Sequence, residues 1–165
     1  MTEAEHVDEL LRLKKVAVGQ ADWAEGDRPT IRQIAWPLAI DGLLIGARLI
    51  AKSPITVSPQ EFCILLTYGR CVSRLDFEPR GQHRNPMDGP AALRRRVING
   101  PHVHLWEHNR QNAKDGNIPA DLAFAVPYQS SSLEFSTALE WFCNHHSIAM
   151  DIEKVPPLPW EPQFI

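Results

Sequence analysis

Hydrophobic positions change period several times along this chain, and each change marks an element. Between Glu3 and Val16, Val7, Leu10 and Leu11 recur at helical spacing among charged neighbours, so an amphipathic helix is predicted within residues 1–18. Gly19 to Thr30 breaks the pattern and reads as a loop. Three strand-like runs follow, Ile31 to Ile40, Leu43 to Ala51 and Phe62 to Phe77, divided by Asp41-Gly42 and by the Pro54 to Pro59 segment. An Asp-Gly pair between apolar runs is a hairpin signal. Shorter strands are predicted at Val103 to Trp106 and Leu122 to Val126. Ser131-Ser132-Leu133-Glu134 has capping-box spacing, and Phe135, Ala138, Leu139 and Phe142 make one apolar helical face, which predicts a closing helix over residues 131–147.

These elements imply one α+β domain covering residues 1–165. Its sheet, within residues 30–126, is an antiparallel meander of about five strands with an N-terminal and a C-terminal helix packed on it. A long loop is expected at residues 78–100, and a Pro-rich tail at 154–165 is expected on the surface.

Composition narrows the function. A 165-residue chain with 44% hydrophobic residues builds a real core, and its net charge of −3 supplies no general attraction to polyanions. Contact with nucleic acid therefore needs a local basic patch. MTEAEHVDELLRLKK lacks the features of a secretory leader, and no run is long and apolar enough to span a membrane, so a cytoplasmic protein without membrane contact is expected. Cys63, Cys71 and Cys143 are odd in number and lack C-x-x-C spacing, which predicts core thiols rather than a disulfide frame or zinc ribbon.

Strand alternation then locates the candidate chemistry. In Arg74-Leu75-Asp76-Phe77 it sends Leu75 and Phe77 inward and Arg74 with Asp76 to the other face; in His102-Val103-His104-Leu105-Trp106 it sends both histidines outward with Trp106. If the two segments pair, Arg74, Asp76, His102 and His104 line one polar surface. The intervening loop adds His83, aimed by the turn-forming Asn85-Pro86 and Asp88-Gly89, and the basic run Arg94-Arg95-Arg96.

Two imidazoles serve as general acid and base near neutral pH, Arg pairs with phosphate through two hydrogen bonds, and a carboxylate such as Asp76 orients a neighbouring His. Such a set fits RNA cleavage: His102 and His104 as acid and base, His83 as an alternate partner, and Arg74, Arg94, Arg95, Arg96 and Trp106 as substrate contacts. No cofactor is required.

Plainer readings stand beside this one: exposed strand polarity for His102 and His104, a surface ion pair for Arg74 and Asp76, a solvated loop for the arginines, and a helix end for His145-His146. A metal site is a further option, with His102 and His104 joined by Glu107 or His108 and completed by Asp76, on the pattern of the first motif of cupin-type barrels. The second Gly- and His-bearing motif of a cupin is missing from Leu122 to Asn144. G-x-S-x-G and phosphate-cradling glycine loops are missing too.

Arg74-Leu75-Asp76, His83-Arg84-Asn85-Pro86 with Asp88-Gly89, and Pro101-His102-Val103-His104-Leu105-Trp106 together resemble an uncharacterised family of small bacterial and phage-borne proteins with the pattern R-L-D, H-x-N-P-D-G, P-H-x-H-x-Y. The resemblance covers roughly residues 60 to 150; Met87 is inserted into N-P-D-G, the Arg-rich segment is longer, and Trp106 replaces the usual Tyr. The same residues are more loosely similar to small ribonuclease toxins of toxin–antitoxin pairs, which implies RNA as substrate, an antitoxin partner and a mobile or defence-linked locus. The alternative is a non-catalytic phage or mobile-element protein that inhibits a host defence complex, with the long loop and Trp106 as its contact surface.

Overall fold

A computed structural model describes residues 1–55 and 60–159 of the chain. Most of the Pro54 to Pro59 divider and the end of the 154–165 tail lie outside the described residues. Helix α1 spans Glu3–Arg12, opened by a capping box: the Glu5 backbone N–H donates to Thr2 Oγ1 at 3.2 Å, and the Thr2 backbone nitrogen donates to the Glu5 carboxylate at 2.6 Å. It ends short of the predicted Val16. The ammonium of the fully buried Lys15 turns back to donate to the carbonyls of Leu10 and Leu13, closing the helix, while its backbone enters strand β1 (Lys15–Ala17).

The remaining strands are β2 (Ala24–Glu25), β3 (Ile31–Ile40), β4 (Leu43–Pro54), β5 (Phe62–Tyr68), β6 (Arg70–Phe77), β7 (Gln82–Arg84), β8 (Val97–Asn99), β9 (His102–His104), β10 (Val126–Pro127) and β11 (Ile148–Ala149). Helix α2 is the short turn Trp106–Asn109, and α3 covers Phe135–His145. The main sheet runs β10-β9-β6-β5-β4-β3-β1-β11, with β2 on β3, and is antiparallel except for β1 beside β11. The domain is thus α+β, but its sheet has nine strands among the described residues rather than about five. Asp41 and Gly42 both have positive φ, the backbone of a hairpin turn, and the Phe62 to Phe77 run folds back at Gly69 into β5 and β6.

One face of the sheet packs Leu49, Ile64, Leu66, Leu75 and Val103 with Val7 and Leu10 of α1 and Leu139 and Phe142 of α3. Phe62 stacks on Phe77 at 4.5 Å, and Phe135 meets Phe62 edge-on. The expected capping box at Ser131 is not formed: α3 begins after Glu134, and Ser132 Oγ accepts from the Glu134 backbone N–H and donates to Thr137. His146 does more than end that helix. It is buried, with Nε2 at 2.8 Å from Ser73 Oγ. Burial first, then the charges of His145 and Lys15, pull it down to about 3. No helix among the described residues is long and apolar enough to cross a membrane.

Candidate functional site

Strands β6 and β9 pair antiparallel with Arg74 opposite His104 and Asp76 opposite His102, so alternation puts all four side chains on the face away from the α1–α3 core. That face is covered. The region expected as a loop at residues 78–100 contains the β7–β8 hairpin, and Leu122 to Ala125, expected as a strand, runs as a strap without ladder partners among the described residues. His102 and His104 are therefore 4% and 1% exposed, where sequence alternation placed them on an open surface.

Side chains replace the missing ladder along the strap. His104 Nδ1 meets the Leu122 carbonyl, His83 Nε2 the Ala123 carbonyl at 3.0 Å, Asn109 Nδ2 the Phe124 carbonyl at 2.9 Å, and Asn85 Nδ2 the Ala125 carbonyl at 2.9 Å. In return, the backbone N–H groups of Phe124 and Ala125 donate to the side-chain oxygens of Asn109 and Asn85, each at 2.8 Å. Four successive carbonyls, of which Leu122, Phe124 and Ala125 belong to buried residues, are thus satisfied by four side chains, as burial of backbone requires. Asn109 escaped the sequence reading, and Asn85 entered it only as a turn former. The available signal was Asn85 two residues after His83, the spacing of side chains that share one side of an extended chain.

Carbonyl partners also settle which ring nitrogens carry protons, because a carbonyl only accepts. His83 is protonated at Nε2 and His104 at Nδ1; His102 is protonated at Nδ1, which donates to Gly100 at 2.9 Å. The other nitrogens of His102 and His104 look toward Asp76, with each Nε2 3.5 and 3.4 Å from its Oδ2. Arg74 Nε donates to the same oxygen at 2.7 Å, and its Nη2 lies 3.1 Å from His104 Nε2. The ring centroids of His83, His102 and His104 are 4.7–5.2 Å apart.

The environment separates the charges of these groups. Burial alone raises a carboxyl, yet His102, His104 and Arg74 together hold Asp76 well below the usual carboxylate range. Burial works against a charged His102, but Asp76 and the Gly100 carbonyl outweigh it and raise the ring. For His104, burial and then the Arg74 charge outweigh the attraction of Asp76, and the ring is lowered. Asp76 also borders a cleft of about 350 Å³ shared with Lys52, Cys63 and Glu78. Burial, then the Asp76 charge, pushes the Cys63 thiol up to about 12, so it stays protonated there.

His83, His102, His104, Asp76 and Arg74 therefore come together, and the other predicted site residues do not join them. Arg94, Arg95 and Arg96 are exposed on the hairpin connection and make no ion pair with the cluster among the described residues. Trp106, expected to face outward, is 4% exposed because the chain turns into α2 at that residue. Its indole N–H donates to Asp8 at 2.7 Å, and Arg110 grips the same carboxylate at 2.9 and 3.0 Å, tying α2 to α1. His108 is outside the imidazole cluster and lies 4.0 Å from Glu107. No protein-family pattern, curated protein or solved structure matches the chain.

Proposed function

We propose that the chain is a ribonuclease-like protein that cleaves RNA by proton transfer between imidazoles, without a metal in the chemical step. The observation that carries this reading is the convergence of three imidazoles, two of which lie against the Arg74–Asp76 ion pair. His83 is half-buried and is the imidazole of the three that solvent reaches most readily, so it takes the substrate-facing role that alternation had given to His102 and His104. Its Nδ1 removes the 2′-hydroxyl proton; the 2′ oxygen bonds to phosphorus as the bond to the 5′ oxygen breaks. His102, whose charged form Asp76 and the Gly100 carbonyl favour, gives its Nε2 proton to that leaving oxygen. The products are a 2′,3′-cyclic phosphate and a 5′ hydroxyl. Arg74 is the cation placed to meet the phosphate, and Asp76 and His104 are positioning residues.

The test is cleavage of end-labelled mixed RNA by the purified protein, with and without chelator, beside His83→Asn and Arg74→Gln. Loss of a positioned acid or base costs about 10²–10⁴-fold. The expected result is chelator-resistant cleavage that falls by at least about 100-fold in His83→Asn. Intact protein that leaves RNA uncut, or a His83→Asn variant as active as the parent, overturns the reading.

One observation favours a second reading, a non-catalytic phage or mobile-element protein that inhibits a host defence complex. Leu43 and Leu44 at the β3–β4 tip are 73% and 68% exposed, and Ala39 stands in register with both Leu44 and Val16, itself 52% exposed. Such an apolar edge suits a protein partner. The buried Trp106 does not serve as its anchor. Uncut RNA together with loss of partner capture in Leu43→Glu would select this reading.

A further inference from the structure

We infer that His83, His102 and His104 form a binding site for a divalent cation of the zinc class. One nitrogen from each ring lies within 4.8 Å of those of the other two, and each ring has one nitrogen held by a backbone carbonyl, of Ala123, Gly100 and Leu122 respectively. Metal-binding histidines have this arrangement, because the outer hydrogen bond fixes the tautomer and aims the lone pair. The lone pairs remaining are at Nδ1 of His83 and Nε2 of His104, and Nε2 of His102 supplies the third when the metal displaces the proton it shares with Asp76. Three imidazoles suit zinc, cobalt, nickel or copper rather than calcium or magnesium, which prefer oxygen. Asp76 Oδ2, 3.4–3.5 Å from two of those nitrogens, is placed as a fourth ligand or as the acceptor of a metal-bound water.

Two features set the cost of loading. Zinc–nitrogen bonds of about 2.0–2.1 Å in a tetrahedral shell need nitrogens roughly 3.4 Å apart, so the cluster must contract. The adjustable ligand is His83, which sits on the small β7–β8 sheet, while His102 and His104 are fixed in the main one. Arg74 Nη2, 3.1 Å from His104 Nε2, donates to a lone pair the metal requires and repels the incoming charge. The linear pattern suggested His108 as third imidazole. Folding supplies His83 instead.

A bound cation occupies the His83 lone pair, so on the RNA-cleaving reading, on which this consequence alone rests, the loaded protein is inactive. The experiment is calorimetric titration of chelator-stripped, full-length protein with zinc, and with cobalt followed by visible absorption, in parallel with RNA cleavage. Expected are one equivalent bound, four- or five-coordinate cobalt spectra, no response to calcium or magnesium, and zinc-suppressed cleavage. Affinity should fall at least about 10-fold in His83→Asn, remain unchanged in His108→Ala and rise in Arg74→Gln. His102→Gln serves in place of His83→Asn if circular dichroism shows that variant unfolded. Absence of zinc binding, or binding unchanged in both variants, overturns the site even if RNA is cleaved. Zinc binding with RNA uncut under all conditions rejects the ribonuclease reading and leaves the site standing.

Discussion

Asn85 gives the sharpest test of how the imidazole cluster is covered. The residue is 1% exposed, and its side chain makes three hydrogen bonds: to the Leu93 carbonyl at 2.8 Å, to the Ala125 carbonyl at 2.9 Å, and from the Ala125 N–H at 2.8 Å. Asn85→Ala removes all three and strands three buried backbone groups. At about 1 kcal/mol net per bond, with a further penalty for each group left dry, the loss is about 3–5 kcal/mol, a large part of the 5–15 kcal/mol typical of a domain. Urea unfolding should show a lower midpoint at unchanged slope. Asn85→Asp keeps the contact with the Ala125 N–H but turns an acceptor toward the two carbonyls, and it should be at least as costly at pH 7. Asn109→Ala releases the neighbouring residue of the same strap, so the double alanine variant should lose less than the two single losses combined, by about 1 kcal/mol or more. A loss below about 1 kcal/mol in both Asn85 variants would refute the reasoning that side chains hold the strap.

Three further outcomes are expected. Gly89 has φ 122°, and a Cβ there would lie 2.3 Å from the Phe124 ring on the strap, so Gly89→Ala should cost about 1–3 kcal/mol or more in thermal unfolding; a smaller effect is expected for Gly19→Ala, whose Cβ meets nothing within 4 Å among the described residues. His146 titrates near 3 in the folded chain but near 6.5 when unfolded, so the unfolded chain takes up the proton first and stability falls as pH drops through that window. The slope of stability against pH from about 6.5 to 3 should flatten in His146→Gln, and identical slopes would count against its buried, neutral state. Trp106→Phe removes the bond to Asp8 and should cost about 1–2 kcal/mol in chemical denaturation with RNA cleavage unchanged; a selective loss of cleavage would return Trp106 to the substrate.

The elements legible along the chain are those whose signals are local. Val7 and Leu10 mark the buried face of α1, Asp41-Gly42 turns β3 into β4, and Phe135, Ala138, Leu139 and Phe142 bury one side of α3. The Ser131 capping box failed because Ser132 offers a competing hydroxyl, and the outward Trp106 failed because the strand period was extended into a residue that begins a helix. Lys15 ended α1 early through its own ammonium, which no hydrophobic period reveals.

By itself, the sequence determined that Arg74 with Asp76 and His102 with His104 occupy single strand faces, since side-chain alternation is a property of each strand alone. Tertiary structure decided that these faces adjoin, that the two histidines are buried, and that His83 rather than His108 is the third imidazole. The reason is distance along the chain. His83 and Asn85 reach strap carbonyls 40 residues away, and such bonds leave no periodic trace because each exists only once the sheet has brought its partners together.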